Sequence, residues 1–65
     1  MLNFENIKDA RIWLRELDEE TTIEYGDYSV MEYSNGEIEL VAIGEEHSDT
    51  SDAPICLGTV AQVLY

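Results

Sequence analysis

The chain is predicted to form a small α+β domain in which an N-terminal helix packs on a three-stranded antiparallel sheet. Three observations favour this class. Apolar residues near the N-terminus recur with a helical period, an Asn35-Gly36 turn signal lies between two β-rich runs, and a Gly26-Asp27 turn signal precedes them. With 65 residues, the chain has the length of one domain, residues 1–65, near the lower limit for folding without disulfides or metals.

A helix is predicted from about Ile7 to Asp18. Asn6 suits the N-cap position, and the apolar side chains after it recur on one face with a period of 3.6 residues. These apolar residues are Ile7, Ala10, Trp13, Leu14 and Leu17. Beside them run the three basic residues of the chain, Lys8, Arg11 and Arg15. This basic stripe either binds phosphate or offsets acidic charge within the molecule, and we favour the second interpretation.

Three antiparallel strands are predicted after the helix. The first covers residues 21–25, follows an acidic run at 18–20 and leads into a tight turn, and the other two flank Asn35-Gly36 within residues 28–43. We expect the core face to be the one whose apolar residues continue to the turn. Its members are Met31, Tyr33, Ile38 and Leu40. The opposite face then mixes tyrosines, aliphatic residues and glutamates, a composition that suits a protein partner.

The turn also predicts the cross-strand pairs. A two-residue type I′ turn at Asn35-Gly36 would place Glu32 directly opposite Glu39, with Glu37 beside them. Like charges in such a pair destabilise a sheet. Because local rules are most often broken at functional positions, we expect these carboxylates to serve recognition of a partner.

The C-terminal residues 54–65 are compatible with two structures. Asp52 can cap a helix with Pro54 in its first turn, where proline is tolerated. Gly58 and several β-branched residues weaken a helix and favour a strand. A helix is our first interpretation, and a further strand is the alternative.

Charge is the most unusual property of the chain. The formal net charge is −12, from 15 acidic and 3 basic residues. All three basic residues lie within the first 15 positions, so residues 16–65 hold 13 carboxylates and no Lys or Arg. Such a surface repels nucleic acid and anionic membranes, and we expect neither as a direct partner. A basic protein partner is expected instead.

The residues offer little for catalysis or for metal binding. His47 and Cys56 are the only residues of their types, so we expect neither a zinc site nor a nucleophile–base pair, and His47 is interpreted as a solvated loop residue. The acidic loop 44–53 lacks the spacing of an EF-hand. We therefore predict no enzymatic activity, no metal and no cofactor. One cysteine, no leader-like N-terminus and no membrane-length apolar run favour a cytoplasmic protein.

The candidate partner-binding residues are nine carboxylates and one tyrosine from the predicted sheet and the acidic loop. They are Glu24, Asp27, Tyr28, Glu32, Glu37, Glu39, Glu45, Glu46, Asp49 and Asp52. The oligomeric state is left open by the sequence.

A short, strongly acidic α+β chain without catalytic residues resembles the small phage- and plasmid-encoded inhibitors that mimic DNA, including some anti-CRISPR and anti-restriction proteins. The resemblance rests on the size, on the stretch 16–65 without basic residues, and on the carboxylates around Asn35-Gly36. It implies a non-enzymatic inhibitor in the host cytoplasm. Its carboxylates would replace phosphates in the basic groove of a nucleic-acid-binding protein, for example a subunit of a CRISPR surveillance complex.

Two other functions are compatible with the same features. One is an acidic antitoxin or immunity-type partner of a basic nuclease. The other is an adaptor module without an inhibitory role.

Overall fold

Four antiparallel strands and three helices make up the part of the chain that the computed structural model describes, residues 2–48 and 51–65. In chain order they are β1 (Leu2–Phe4), α1 (Ile7–Glu16), α2 (Glu19–Tyr25), β2 (Ser29–Glu32), β3 (Ile38–Val41), β4 (Ile55–Thr59) and α3 (Val60–Val63). The strands lie side by side in the order β1-β3-β2-β4. The predicted α+β class is confirmed, whereas the sheet has four strands rather than three.

Helix α1 begins where the sequence predicts and ends two residues earlier, at Glu16. The Asn6 side chain accepts a hydrogen bond from the Asp9 N–H at 2.9 Å, which satisfies one of the free donors of the first turn. Ala10 and Leu14 of the apolar stripe are buried. The N-cap and the 3.6-residue period both agree with the predicted helix, and the helix packs through its predicted apolar face.

The prediction of a strand at residues 21–25 is wrong, because these residues belong to helix α2. The Asp18 carboxylate accepts the Thr21 N–H at 2.7 Å, and the Thr22 hydroxyl donates to the Asp18 carbonyl oxygen at 2.7 Å. This N-cap outweighs the β propensity of the segment. The two glutamates after Asp18 therefore begin a second helix, where the helix dipole favours anions.

The hairpin at Asn35-Gly36 forms with a different turn from the one predicted. A type I′ turn requires positive φ at both central residues, but only Gly36 has it, at 90°. The Gly36 N–H donates to the Tyr33 carbonyl oxygen at 2.9 Å, and the Asn35 side chain accepts the Glu37 N–H at 3.0 Å. The connection is a three-residue loop, 34–36, that ends in glycine.

The longer loop shifts the register of β2 against β3 by one residue. Val30 pairs with Leu40, Met31 with Glu39, and Glu32 with Ile38. The predicted pair of Glu32 and Glu39 is therefore wrong, since these two residues lie on opposite faces of the sheet.

The core face changes with the register. Ile38 and Leu40 are buried in the core as predicted, but the β2 residue that joins them there is Val30. Met31 and Tyr33 were assigned to this face wrongly, because side chains alternate along a strand and theirs point to the other side. The buried core cluster consists of Ala10, Leu14, Val30, Ile38, Leu40, Val60 and Leu64.

Strand β1 was not predicted from the sequence. Its three residues extend the sheet beyond β3, with Leu2 opposite Leu40 and Phe4 opposite Ile38. From Phe4 a row of rings continues through Trp13 and Tyr25 to Tyr28. Successive ring centroids in this row are 5.3, 5.2 and 4.8 Å apart. Aromatic rings at such distances attract one another in addition to the stabilisation from burying their apolar surface. The row therefore joins β1, α1, α2 and the residue before β2.

The C-terminal segment adopts the alternative structure, a strand, followed by a short helix. Thr59 rather than Asp52 is the N-cap. Its hydroxyl accepts the Gln62 N–H at 3.3 Å, and the Gln62 side chain accepts the Thr59 N–H at 3.0 Å, which forms a capping box. Arg11 of the basic stripe donates to the Val63 carbonyl oxygen at 3.3 Å and thus joins α1 to the end of α3.

The turn geometry predicts unequal effects of the same substitution at two adjacent positions. In Gly36→Ser, serine must adopt the positive φ, at a cost of about 1–2 kcal/mol. Asn35→Ser has no such strain, and its hydroxyl can still accept the Glu37 N–H. Thermal unfolding should therefore show a melting temperature lowered by about 4–16 °C at position 36 and by much less at position 35. Equal losses would contradict the three-residue turn.

Candidate partner-binding surface

Glu39 is fully buried, so it cannot present its carboxylate to a partner as predicted. Its position opposite Met31 directs it to the face away from Val30 and the core. There the Tyr33 hydroxyl donates to its Oε1 at 2.5 Å, and the Ser48 N–H lies 3.1 and 3.3 Å from its two oxygens. A buried carboxylate is tolerated only with such partners.

The electrostatics of this site favour the ionised carboxylate. Burial raises the pKa of Glu39, but the Tyr33 hydroxyl, the Ser48 N–H and the nearby His47 together hold this pKa below its ordinary value of 4.5. The His47 ring packs edge-on against Tyr33, with centroids 6.4 Å apart. Its Nδ1 is buried and has no hydrogen-bond partner in the part of the chain that the structure describes. His47 lies in a loop, as expected, but it is half-buried rather than fully solvated.

We call Glu39, Tyr33, His47 and Ser48 the Glu39 cluster. Its bonds connect strands β2 and β3 to the segment that follows Gly44. Glu45 and Glu46 lie in that segment immediately before His47, and both are exposed. The hydrogen bond from Ser48 to Glu39 therefore holds the end of this segment, and the Glu45 N–H donates to the Ala42 carbonyl oxygen at 3.0 Å at its start.

A groove of about 350 Å³ lies at the surface beside the row of rings. Tyr25 and Tyr28 line it together with Glu45 and Glu46, and we call it the tyrosine groove. The rest of its lining is Leu2, Glu39, Leu40, Val41 and Ala42. A cationic side chain is attracted both by carboxylates and by the faces of aromatic rings, so the groove has the chemistry to receive lysine or arginine.

Four of the predicted partner-binding residues line the tyrosine groove: Tyr28, Glu45, Glu46 and the buried Glu39. Two others are close to it in the chain, since exposed Glu24 immediately precedes Tyr25 and exposed Asp27 immediately precedes Tyr28. Tyr25 was missed as a site residue. The signal for it was the Tyr-x-x-Tyr spacing across the end of α2, which places two rings next to each other.

The remaining predicted residues lie elsewhere. Glu37 and Asp52 line a second groove of about 250 Å³ near the hairpin loop, where Asp52 accepts a hydrogen bond from the Ser34 hydroxyl at 2.8 Å. Glu32 is half-buried at the end of β2, opposite Ile55 of β4, and lines neither groove. Asp49 lies outside the described residues.

Within residues 2–48 and 51–65, no three His, Cys, Asp or Glu residues are arranged to hold a metal ion. None of the helices in the same ranges combines the length and the hydropathy needed to cross a bilayer.

A scan against protein-family models, a search of curated proteins and a search of solved structures each find no match to this chain. A functional inference therefore rests on the geometry and the charge of the molecule.

The Glu39 cluster predicts a defined pH dependence of stability. Glu39→Gln removes the ionic acceptor and turns an amide NH₂ toward buried donors, which should cost about 1–3 kcal/mol at pH 7. Because the folded-state pKa of Glu39 is lowered, the stabilisation by the carboxylate is complete above about pH 4.5 and is lost as the pH falls through the folded-state pKa.

The melting temperatures of the wild type and of Glu39→Gln are measured from pH 7 down to acidic pH. The gap between wild type and Glu39→Gln should be wide at neutral pH and should close below about pH 4.5. Exposed Glu24 provides the matched control, and Glu24→Gln should change the melting temperature little at any pH. A gap of constant width for Glu39→Gln would show that the ionised carboxylate does not stabilise the cluster.

Proposed function

We propose that this chain is a non-enzymatic inhibitor that occupies the basic nucleic-acid-binding groove of a host defence complex, of the anti-CRISPR type, by mimicry of DNA. The observation that carries the proposal is the exposure of its acidic residues. Of the 14 acidic residues in the described part of the chain, 11 are exposed and 2 are half-buried, and only Glu39 is buried. The negative charge of the sequence is therefore available to a partner.

The spacing of this charge supports a comparison with a phosphate backbone. The domain measures 35 × 24 × 18 Å, so its 13 exposed or half-buried carboxylates average roughly one per 3 Å of the long axis. Duplex DNA carries one charge per ~1.7 Å of axis, or one per ~3.4 Å on each strand. The average charge density of the protein is thus below that of the whole duplex and close to that of one of its strands.

The tyrosine groove adds shape to this charge. Proteins that bind nucleic acid contact phosphates chiefly through arginine and lysine side chains. In the proposed complex, such a side chain enters the groove between the carboxylates of Glu45 and Glu46 and the rings of Tyr25 and Tyr28. The rings add contact area at a low cost in conformational entropy, which provides affinity that charge alone does not.

Competition with DNA tests the proposal directly. A purified CRISPR surveillance complex is mixed with its target duplex and with increasing amounts of the protein, at low and at high salt. The protein should displace the duplex, and its affinity should fall steeply with ionic strength, because exposed charges are screened over ~10 Å at 0.1 M salt. Simultaneous binding of protein and duplex, across a panel of such complexes, would contradict mimicry of DNA.

Charge reversal at the groove tests which surface is used. Glu45→Lys and Glu46→Lys should each weaken binding by about tenfold or more, since a like charge placed against a basic partner costs several kcal/mol. Glu5→Lys makes the same change of charge at an exposed position that lines none of the grooves described here, and it should weaken binding much less. Equal losses in all three variants would mean that total charge alone determines affinity.

A further inference from the structure

The last 13 residues of the chain, 53–65, contain no charged side chain, whereas residues 16–52 carry all of the 13 carboxylates that follow position 15. Within this stretch β4 lies at one side of the sheet, whereas Val60 and Leu64 belong to the buried core. Strand β4 lies at the end of the strand order and, in the part of the chain that is described, pairs only with β2. Its other edge offers backbone N–H and C=O groups for pairing with a further strand.

Strand β4 is also poorly covered on its faces. Ile55 is 65% exposed, Leu57 is 36% exposed, and Cys56 is exposed as well. Natural edge strands are commonly protected by charged residues, by proline or by a bulge. Pro54 precedes β4, and Leu57 forms a bulge in β4, because Val30 pairs with Gly58 and Met31 with Cys56, but β4 has no charged residue to discourage pairing.

We propose that β4 forms the joint of a homodimer. Two copies pair their β4 strands antiparallel about a twofold axis, which joins two four-stranded sheets into one sheet of eight strands. This inference does not depend on the proposed function, since it concerns a different surface.

Charge favours a second copy over a basic partner at this edge. Two molecules with a net charge of −12 repel one another, and contact through a neutral surface lets them meet without placing carboxylates against carboxylates. The antiparallel arrangement keeps Asp52, the acidic residue closest to β4 in the chain, at opposite ends of the joint. A basic partner would find no counter-charge on β4 itself, whereas the acidic surfaces elsewhere would attract it.

The size of the joint predicts a weak dimer. A strand of five residues buries less than the ~800 Å² per partner of a standard interface, so the dissociation constant should lie in the micromolar to millimolar range. Salt screens the repulsion between the two acidic bodies, so the dimer should become tighter as the salt concentration rises. Head-to-tail association of the basic stripe on α1 with the acidic surface of another copy would respond to salt in the opposite direction.

The test is sedimentation equilibrium of the full chain from about 10 μM to about 1 mM, a range matched to a small interface. Reducing conditions prevent a cross-link through Cys56. We expect a dimer fraction that rises with concentration and also rises between about 50 and about 500 mM salt. Hydrogen exchange at the β4 amides should slow as the concentration rises, because strand pairing protects them.

Leu57→Lys should raise the dissociation constant by about tenfold or more, because a twofold dimer contains the substitution twice, at the joint. Ile55→Lys is a second variant in the same strand. If Leu57→Lys does not fold, Ile55→Lys should raise the dissociation constant in its place. Ile23→Lys makes the same change of charge on α2, at a residue that is 69% exposed, and should leave the dimer unchanged.

Three results would overturn the dimer: a monomer over the whole concentration range, a dimer that salt weakens, or equal losses in the β4 variants and in Ile23→Lys.

Discussion

The three-residue loop at 34–36 determines on which face each side chain of the central hairpin lies. With Gly36 alone at positive φ, β2 and β3 pair in the register that sets Val30 against Leu40. A shift of one residue in such a pair exchanges the two faces of a strand. The observed register places aliphatic side chains toward α1 and directs Glu39 to the opposite side, so both the core and the buried carboxylate depend on this short turn.

The buried carboxylate then organises the second face of the sheet. Desolvation of Glu39 is unfavourable, and the Tyr33 hydroxyl and the Ser48 N–H offset it with charge-assisted hydrogen bonds. Because Ser48 belongs to the loop after β3, these bonds attach an irregular polar segment to a regular strand. This attachment and the backbone hydrogen bond from Glu45 to Ala42 together hold Glu45 and Glu46 beside Tyr28.

Charge is distributed unevenly along the chain. The basic residues lie beside the apolar stripe of α1, most carboxylates lie on α2, the hairpin and the loop, and the neutral C-terminal residues form β4 and α3. Self-repulsion of the acidic region destabilises a domain of this size, and the ring row from Phe4 to Tyr28 is among the contacts that oppose it. The exposed acidic region and the uncharged strand β4 therefore present different chemistry at the surface.

The sequence by itself determined the α+β class, helix α1 and the acidic character of the surface, because caps, a 3.6-residue period and composition are local properties. It also contained Asp18 as the cap of α2, a local signal that the β propensity of residues 21–25 concealed. Tertiary structure decided the rest. Two turns were acceptable at Asn35-Gly36, and only the three-residue loop is compatible with Val30 opposite Leu40 in the core. The pairing of β1 and β4, the burial of Glu39, and the meeting of Tyr28 with Glu45 and Glu46 all join residues distant in the chain, and a local pattern carries no information about such contacts.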